Sequence, residues 1–195
     1  MNIPNKISLI RLCSIPFIAF FYLADFIPNA WGKIISLILF VITGITDFVD
    51  GYIARKYNMV TDLGKFLDPI ADKLHMSTGL LLIVADGTIL APYGVIMAII
   101  IIAREFIVSA LRQIAATKNI VLAADIIGKI KANFQPAGIA LFMFLAINNA
   151  TPFLGGATIV FEIIAYVIMG LATLLTVISG ANYLIKNRAV FKEEK

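Results

Sequence analysis

Four aspartates, Asp47, Asp50, Asp68 and Asp72, lie in stretches otherwise apolar enough to sit in a bilayer. A carboxylate at mid-membrane costs roughly 3 kcal/mol, so four close together point to function rather than accident. Asp47 and Asp50 are spaced i,i+3, while Gly64, Asp68 and Asp72 follow one another at i,i+4. On helices each group therefore shares one face. Two adjacent helices would then aim four carboxylates into one water-filled pocket. Carboxylates so crowded repel one another unless cations neutralise them. Hard divalent cations such as Mg2+ take oxygen ligands and keep positions open for water or substrate phosphate. The spacing predicts a metal site that handles phosphates.

The neighbouring residues suit that chemistry. Gly51 and Ala54 fall on the face of Asp47 and Asp50 and remove side-chain bulk, letting a phosphate or planar group approach the backbone. Close helix packing is the competing reading for both. Arg55, at the end of the same helix, offers a planar bidentate phosphate donor and also suits the helix dipole. Asp62, beside Thr61, reads as a helix cap rather than a ligand. Pro69 removes one backbone hydrogen bond next to Asp68. Lys73 either offsets the negative charge of the pocket or snorkels to the interface. His75, the single histidine, has no second His or Cys near it and reads as structural.

A second constellation is basic. Arg104 and Arg112 are two turns apart and share a face, while Lys129 and Lys131 open the next apolar stretch with Gln135 one turn on. Interfacial anchoring explains Lys118 but not Arg104, which follows the apolar run 99–103 and is costly there unless paired. Glu105 is adjacent, but i,i+1 neighbours are expected to face apart. Cations beside a metal–carboxylate site make an anion pocket, suggesting a second substrate with its own phosphate. No Ser or Cys nucleophile with a nearby base is evident, which favours direct transfer.

The elements that must position these residues are membrane helices. The chain has 195 residues, 61% of them hydrophobic, and a mean hydropathy of +0.95, too apolar for a soluble domain. Apolar runs of about 20 residues predict six spans near 7–24, 33–56, 61–85, 92–117, 123–147 and 157–186. Breaks fall at Pro28-Asn29, Tyr57-Asn58-Met59, Asp86-Gly87, Lys118-Asn119 and from Asn148 to Gly156. The expected fold is all-α: a polytopic six-transmembrane-helix bundle, one domain over 1–195, preceded by an interfacial amphipathic segment from Met1 to Arg11 that serves as an anchor. Every Lys and Arg except Lys33 falls at or near one face. The positive-inside rule then places both termini and the site in the cytoplasm of a multi-pass cell-membrane protein. No signal-peptide pattern opens the chain, and a single Cys13 rules out an intramolecular disulfide.

From Asp47 to Asp72 the chain reads D-x2-D-G-x2-A-R-x8-G-x3-D-x3-D, every fixed position of the signature of the CDP-alcohol phosphotransferase family, which it resembles. The resemblance implies a six-helix membrane enzyme, usually a homodimer, that joins an alcohol to a CDP-linked donor and releases CMP. It implies that Asp47, Asp50, Asp68 and Asp72 hold two divalent ions, Mg2+ or Mn2+, with Asp72 doubling as general base. Gly51, Ala54, Arg55 and Gly64 would contact the CDP moiety. Within the family the chain looks most like the phosphatidylglycerophosphate synthases. The likeness runs through Asn2-Ile-Pro4-Asn5-Lys6 with Arg11, Asp68-Pro-Ile-Ala-Asp72-Lys73, Ala103-Arg104-Glu105-Phe106 through Leu111-Arg112, and Gly128-Lys129-Ile-Lys131 with Gln135. Ala132 stands where that subgroup commonly has Thr. The implied substrates are CDP-diacylglycerol and sn-glycerol 3-phosphate, with Arg104, Arg112, Lys129 and Lys131 on the acceptor phosphate; no nucleic acid partner is expected. An enzyme of the same chemistry with another acceptor (inositol phosphate, serine or phosphatidylglycerol) is one alternative. A cation or proton transporter is the other, and it lacks the internal repeat common among transporters.

Overall fold

The computed structural model describes residues 3–28, 30–56, 61–118 and 126–188, without the side chains of 3–4, 48–56, 62–63, 65 and 126–132. Among these residues the chain is all-helical. Six α-helices follow one another: α1 Ile3–Leu23, α2 Trp31–Lys56, α3 Asp62–Ala85, α4 Tyr93–Thr117, α5 Ile126–Ala150 and α6 Thr158–Lys186, with a 3₁₀ turn at Gly155–Ala157 before the last. Three stretches, Asn5–Leu23, Tyr93–Thr117 and Gly155–Lys186, are long and apolar enough to cross a membrane.

Two sequence expectations need correction. The segment from Met1 to Arg11, expected as an interfacial lead-in, is from Ile3 onward part of α1. Its Asn5, Ser8 and Arg11 are buried, at i,i+3 spacing on one face. An anchor lying in the interface would show its polar face to water; this one turns it inward. The break expected from Asn148 starts later, because α5 runs to Ala150. Asn148 is buried and builds the turn itself: its Oδ1 accepts from the backbone N–H of Phe153 at 3.0 Å and Leu154 at 2.9 Å. A polar residue at an apolar run's end is as often the fastener of the turn as its beginning.

Packing divides the bundle into an apolar half and a polar half. The core gathers Ile18, Tyr22, Phe40, Leu80, Ile83, Ile101, Ile139, Phe142, Met143 and Met169. Gly79 lets α3 close on this core, since a Cβ there would lie 2.7 Å from both Ile139 Cγ2 and Phe40 Cε2. The other half buries polar groups: Asn5, Ser8, Arg11, Thr43, His75, Gln135, Thr176 and Ser179. Buried polar groups persist only when bonded, so this half is built for polar contacts. α1 runs antiparallel to α2, with Ser36 Oγ donating to the Ile18 carbonyl at 2.8 Å. It packs extensively on both α2 and α3. The helix outside the aspartate motif thus holds its two halves together.

Candidate active site

The polar half begins with capping. Thr61, not Asp62, is the N-cap of α3: its Oγ1 accepts from the Gly64 N–H at 3.1 Å. The same hydroxyl donates to Asn5 Oδ1 at 2.7 Å, fastening the start of α3 to α1. Gly64 is buried beneath this contact; a Cβ there would come within 3.0 Å of Asn5 Oδ1 and 4.0 Å of Asp68 Oδ2. One turn on, Ser8 Oγ donates to Asp68 Oδ1 at 2.6 Å. Arg11 Nη1 donates to Asp47 Oδ1 in an ion pair, and its Nη2 stands 3.9 Å from Asp68 Oδ1.

Asp47 on α2 and Asp68 on α3 therefore meet at one guanidinium. Arg11 is 1% exposed, whereas the two carboxylate side chains are 42% and 50% exposed. The arginine approaches from inside the protein and the acids keep their other side open. Asp47 and Asp72 line a cavity of about 630 Å3 between α2, α3 and α5, walled further by Gly44, His75, Asn133 and Pro136. Asp50, Gly51, Ala54 and Arg55 ride on the last turns of α2, with side chains outside the described set. Among the described residues no three His, Cys, Asp or Glu side chains converge as a metal site would require. What is described still suits a hard cation: oxygen donors from two helices, part-exposed, already gathered around a positive group.

His75 takes the structural role expected of it. Its Nε2 lies 2.9 Å from Thr43 Oγ1, and its ring packs against Phe40 with centroids 4.2 Å apart. The Thr43 hydroxyl is within donating distance of the Leu39 and Phe40 carbonyls. Lys73 does not line the aspartate cavity. It lines a separate groove between α3 and α4, with Leu74, Ser77, Phe106 and Gln113.

The arginines of α4 reach α6. Arg104 Nη2 donates to Ser179 Oγ at 2.6 Å. Arg112 Nε donates to the Tyr183 hydroxyl at 3.1 Å, with the guanidinium 5.5 Å from the centre of that ring. Gly180 makes room, since a Cβ there would lie 3.0 Å from Arg104 Cγ. The shared face of Arg104 and Arg112 is thus as expected. The expected separation of Arg104 from Glu105 is not: Nη1 stands 3.5 Å from Glu105 Oε1. Backbone spacing sets where Cβ atoms point, but a long guanidinium can bend back to an adjacent acid. Lys129 and Lys131 lie in the first turns of α5, their side chains outside the described set.

The family model of the CDP-alcohol phosphatidyltransferases matches residues 1–178. The chain belongs to this family. Proteins similar to it include the CDP-diacylglycerol–glycerol-3-phosphate 3-phosphatidyltransferase of Bacillus subtilis (strain 168), 38% identical over 98% of this chain and 97% of the relative. The enzyme of that name from Rickettsia felis is 35% identical over 93% of each chain. The one from Salmonella typhimurium is 36% identical over 73% of this chain and 77% of its own.

The match reaches well beyond the aspartate motif of the CDP-alcohol phosphatidyltransferases, and so do the contacts of Asp47 and Asp68. The sequence alone counts Arg11 among the cations of one face and in the subgroup likeness, and gives no role to Ser8, Ser179, Gly180 or Tyr183. A signal for Arg11 was present: Asn5, Ser8 and Arg11 form a polar stripe at i,i+3 spacing within a mostly apolar helix. No comparable signal marks Ser179 and Tyr183, whose partners are more than seventy residues away.

Proposed function

We propose that this chain transfers the phosphatidyl group of CDP-diacylglycerol to sn-glycerol 3-phosphate, giving phosphatidylglycerol phosphate and CMP. The observation that carries this reading is the end-to-end similarity to enzymes of that name, together with every signature position from Asp47 to Asp72. Asp47, Asp50, Asp68 and Asp72 hold two divalent cations, Mg2+ or Mn2+. A cation bound there neutralises the donor diphosphate and polarises the phosphorus under attack. Gly51, Ala54, Arg55 and Gly64 contact the CDP part of the donor. Asp72, on the cavity wall, takes the proton of the acceptor hydroxyl as its oxygen bonds to phosphorus and the phosphorus–oxygen bond to CMP breaks.

Arg104, Arg112, Lys129 and Lys131 hold the acceptor phosphate and set its hydroxyl in line, a contribution of positioning. Ser179 and Tyr183 support the two arginines from α6. The chain forms one domain over 1–195 with six spans and acts as a homodimer in the cell membrane, termini and site in the cytoplasm. Helix lengths of 21 to 29 residues at about 1.5 Å per residue suit a core about 30 Å thick. Asp47, Asp50, Asp68, Asp72, Arg55, Lys129 and Lys131, which lower the apolarity of α2, α3 and α5, belong to the site. Exposed Ile10, Phe17, Phe20, Ile42, Ile99, Ile163 and Leu174 suit lipid contact.

The test is CMP release by purified protein with CDP-diacylglycerol and Mg2+, offered glycerol 3-phosphate, inositol phosphate, serine or no acceptor. Release only with glycerol 3-phosphate is expected. Release with another acceptor alone would overturn the acceptor assignment, and no release with any would overturn the chemistry.

A further inference from the structure

The buried arginine of α1 has a role that the aspartate motif does not contain. Removing a guanidinium from water costs several kcal/mol, and only close, well-placed acids offset it. Arg11 is 1% exposed, and acids from two different helices meet it: Asp47 as its ion-pair partner and Asp68 at 3.9 Å. Ser8, one turn before, holds Asp68 by a 2.6 Å hydrogen bond, and Asn5 ties the α3 cap by way of Thr61. One stripe of α1 therefore bridges two acids that stand on different helices. The same two acids are offered as cation ligands, and a guanidinium and a divalent cation cannot both take the full charge of one carboxylate.

We propose that Arg11 is a built-in counter-ion that holds Asp47 and Asp68 together in the cation-free enzyme and is displaced from them when a divalent cation binds. Its planar fork then turns to the donor diphosphate, an anion that a guanidinium can grip in bidentate fashion. This rests on reading the aspartates as cation ligands. Arg11 thereby couples cation loading to donor capture, through a helix outside the signature.

The experiment is a Mn2+ titration of the detergent-solubilised full chain without donor, followed by electron paramagnetic resonance, for wild type, Arg11→Gln and Arg11→Lys. Removing the competitor should tighten Mn2+ binding by about tenfold in Arg11→Gln, the scale of one charge-assisted contact. It should also raise KM for CDP-diacylglycerol while leaving KM for glycerol 3-phosphate unchanged. Thermal unfolding supplies a second readout: the variant should have a lower Tm than wild type in EDTA and gain more from Mg2+. Should Arg11→Gln not fold, Arg11→Lys, whose point charge serves one carboxylate at a time, must show a smaller gain of the same sign. A merely structural arginine predicts equal losses with and without cation and no tighter binding, which would overturn the inference. Wild type that binds no Mn2+ would overturn the cation-site reading and this inference with it.

Discussion

At the scale of single residues, the proposed function gives the acids and the arginines separable tasks. Asp68→Asn keeps an oxygen to accept the Ser8 hydroxyl but removes a negative charge. CMP release should fall by about a hundredfold or more, with Tm within a few degrees of wild type; full activity would remove Asp68 from the site. Arg112→Ala should raise KM for glycerol 3-phosphate more than KM for CDP-diacylglycerol, and equal effects would reassign it to the donor. Tyr183→Phe keeps the ring beside Arg112 but loses the acceptor of its Nε. We expect an acceptor KM raised about threefold, the scale of one hydrogen bond. The acids were legible in the sequence because charge inside an apolar run is costly and needs a reason. Ser8, the partner of Asp68, and Ser179 and Tyr183, the partners of the arginines, were not: they are ordinary residues whose contacts run across helices.

At the scale of helices, legibility was high for the same physical reason. Apolar runs end where a bilayer or a core ends, so all six helices fall close to their predicted limits. The errors lie at ends, where side chains rather than hydropathy decide. Asn148 looked like a loop residue and is a turn fastener inside α5. Met1 to Arg11 looked like a surface anchor because Lys6 and Arg11 are charged, yet from Ile3 it is helix with a buried polar face. Thr61 both caps α3 and bonds to Asn5. Thr61→Val should cost about 1 kcal/mol, seen as a lower Tm and faster amide hydrogen exchange in the first turn of α3. Unchanged exchange there would mean that packing, not the cap, sets that end.

At the scale of the whole molecule, the end opposite the site is fastened separately. Lys33 Nζ donates to Asp86 Oδ1 at 2.7 Å, Thr88 Oγ1 donates to the other Asp86 oxygen at 2.5 Å, and Lys33 stands 5.6 Å from the centre of the Tyr22 ring. This cluster ties α1, α2 and α3 where they are farthest from the aspartate cavity. Asp86→Asn should lower stability by about 1 kcal/mol while leaving both substrate KM values as they were. A changed KM would show that the two ends communicate. The cavity between α2, α3 and α5 has a further property. Two of its wall residues, Val41 and Ile45, also lie on the exposed apolar surface, so the chamber that holds Asp47 and Asp72 adjoins the surface suited to lipid contact. On the proposed function, a donor with two acyl chains can slide in sideways and leave its tails behind in the membrane. Such an enzyme samples its donor in two dimensions and its acceptor in three. Its rate then follows the mole fraction of donor among the lipids, and dilution with inert lipid slows it even when the amount of donor per volume is constant.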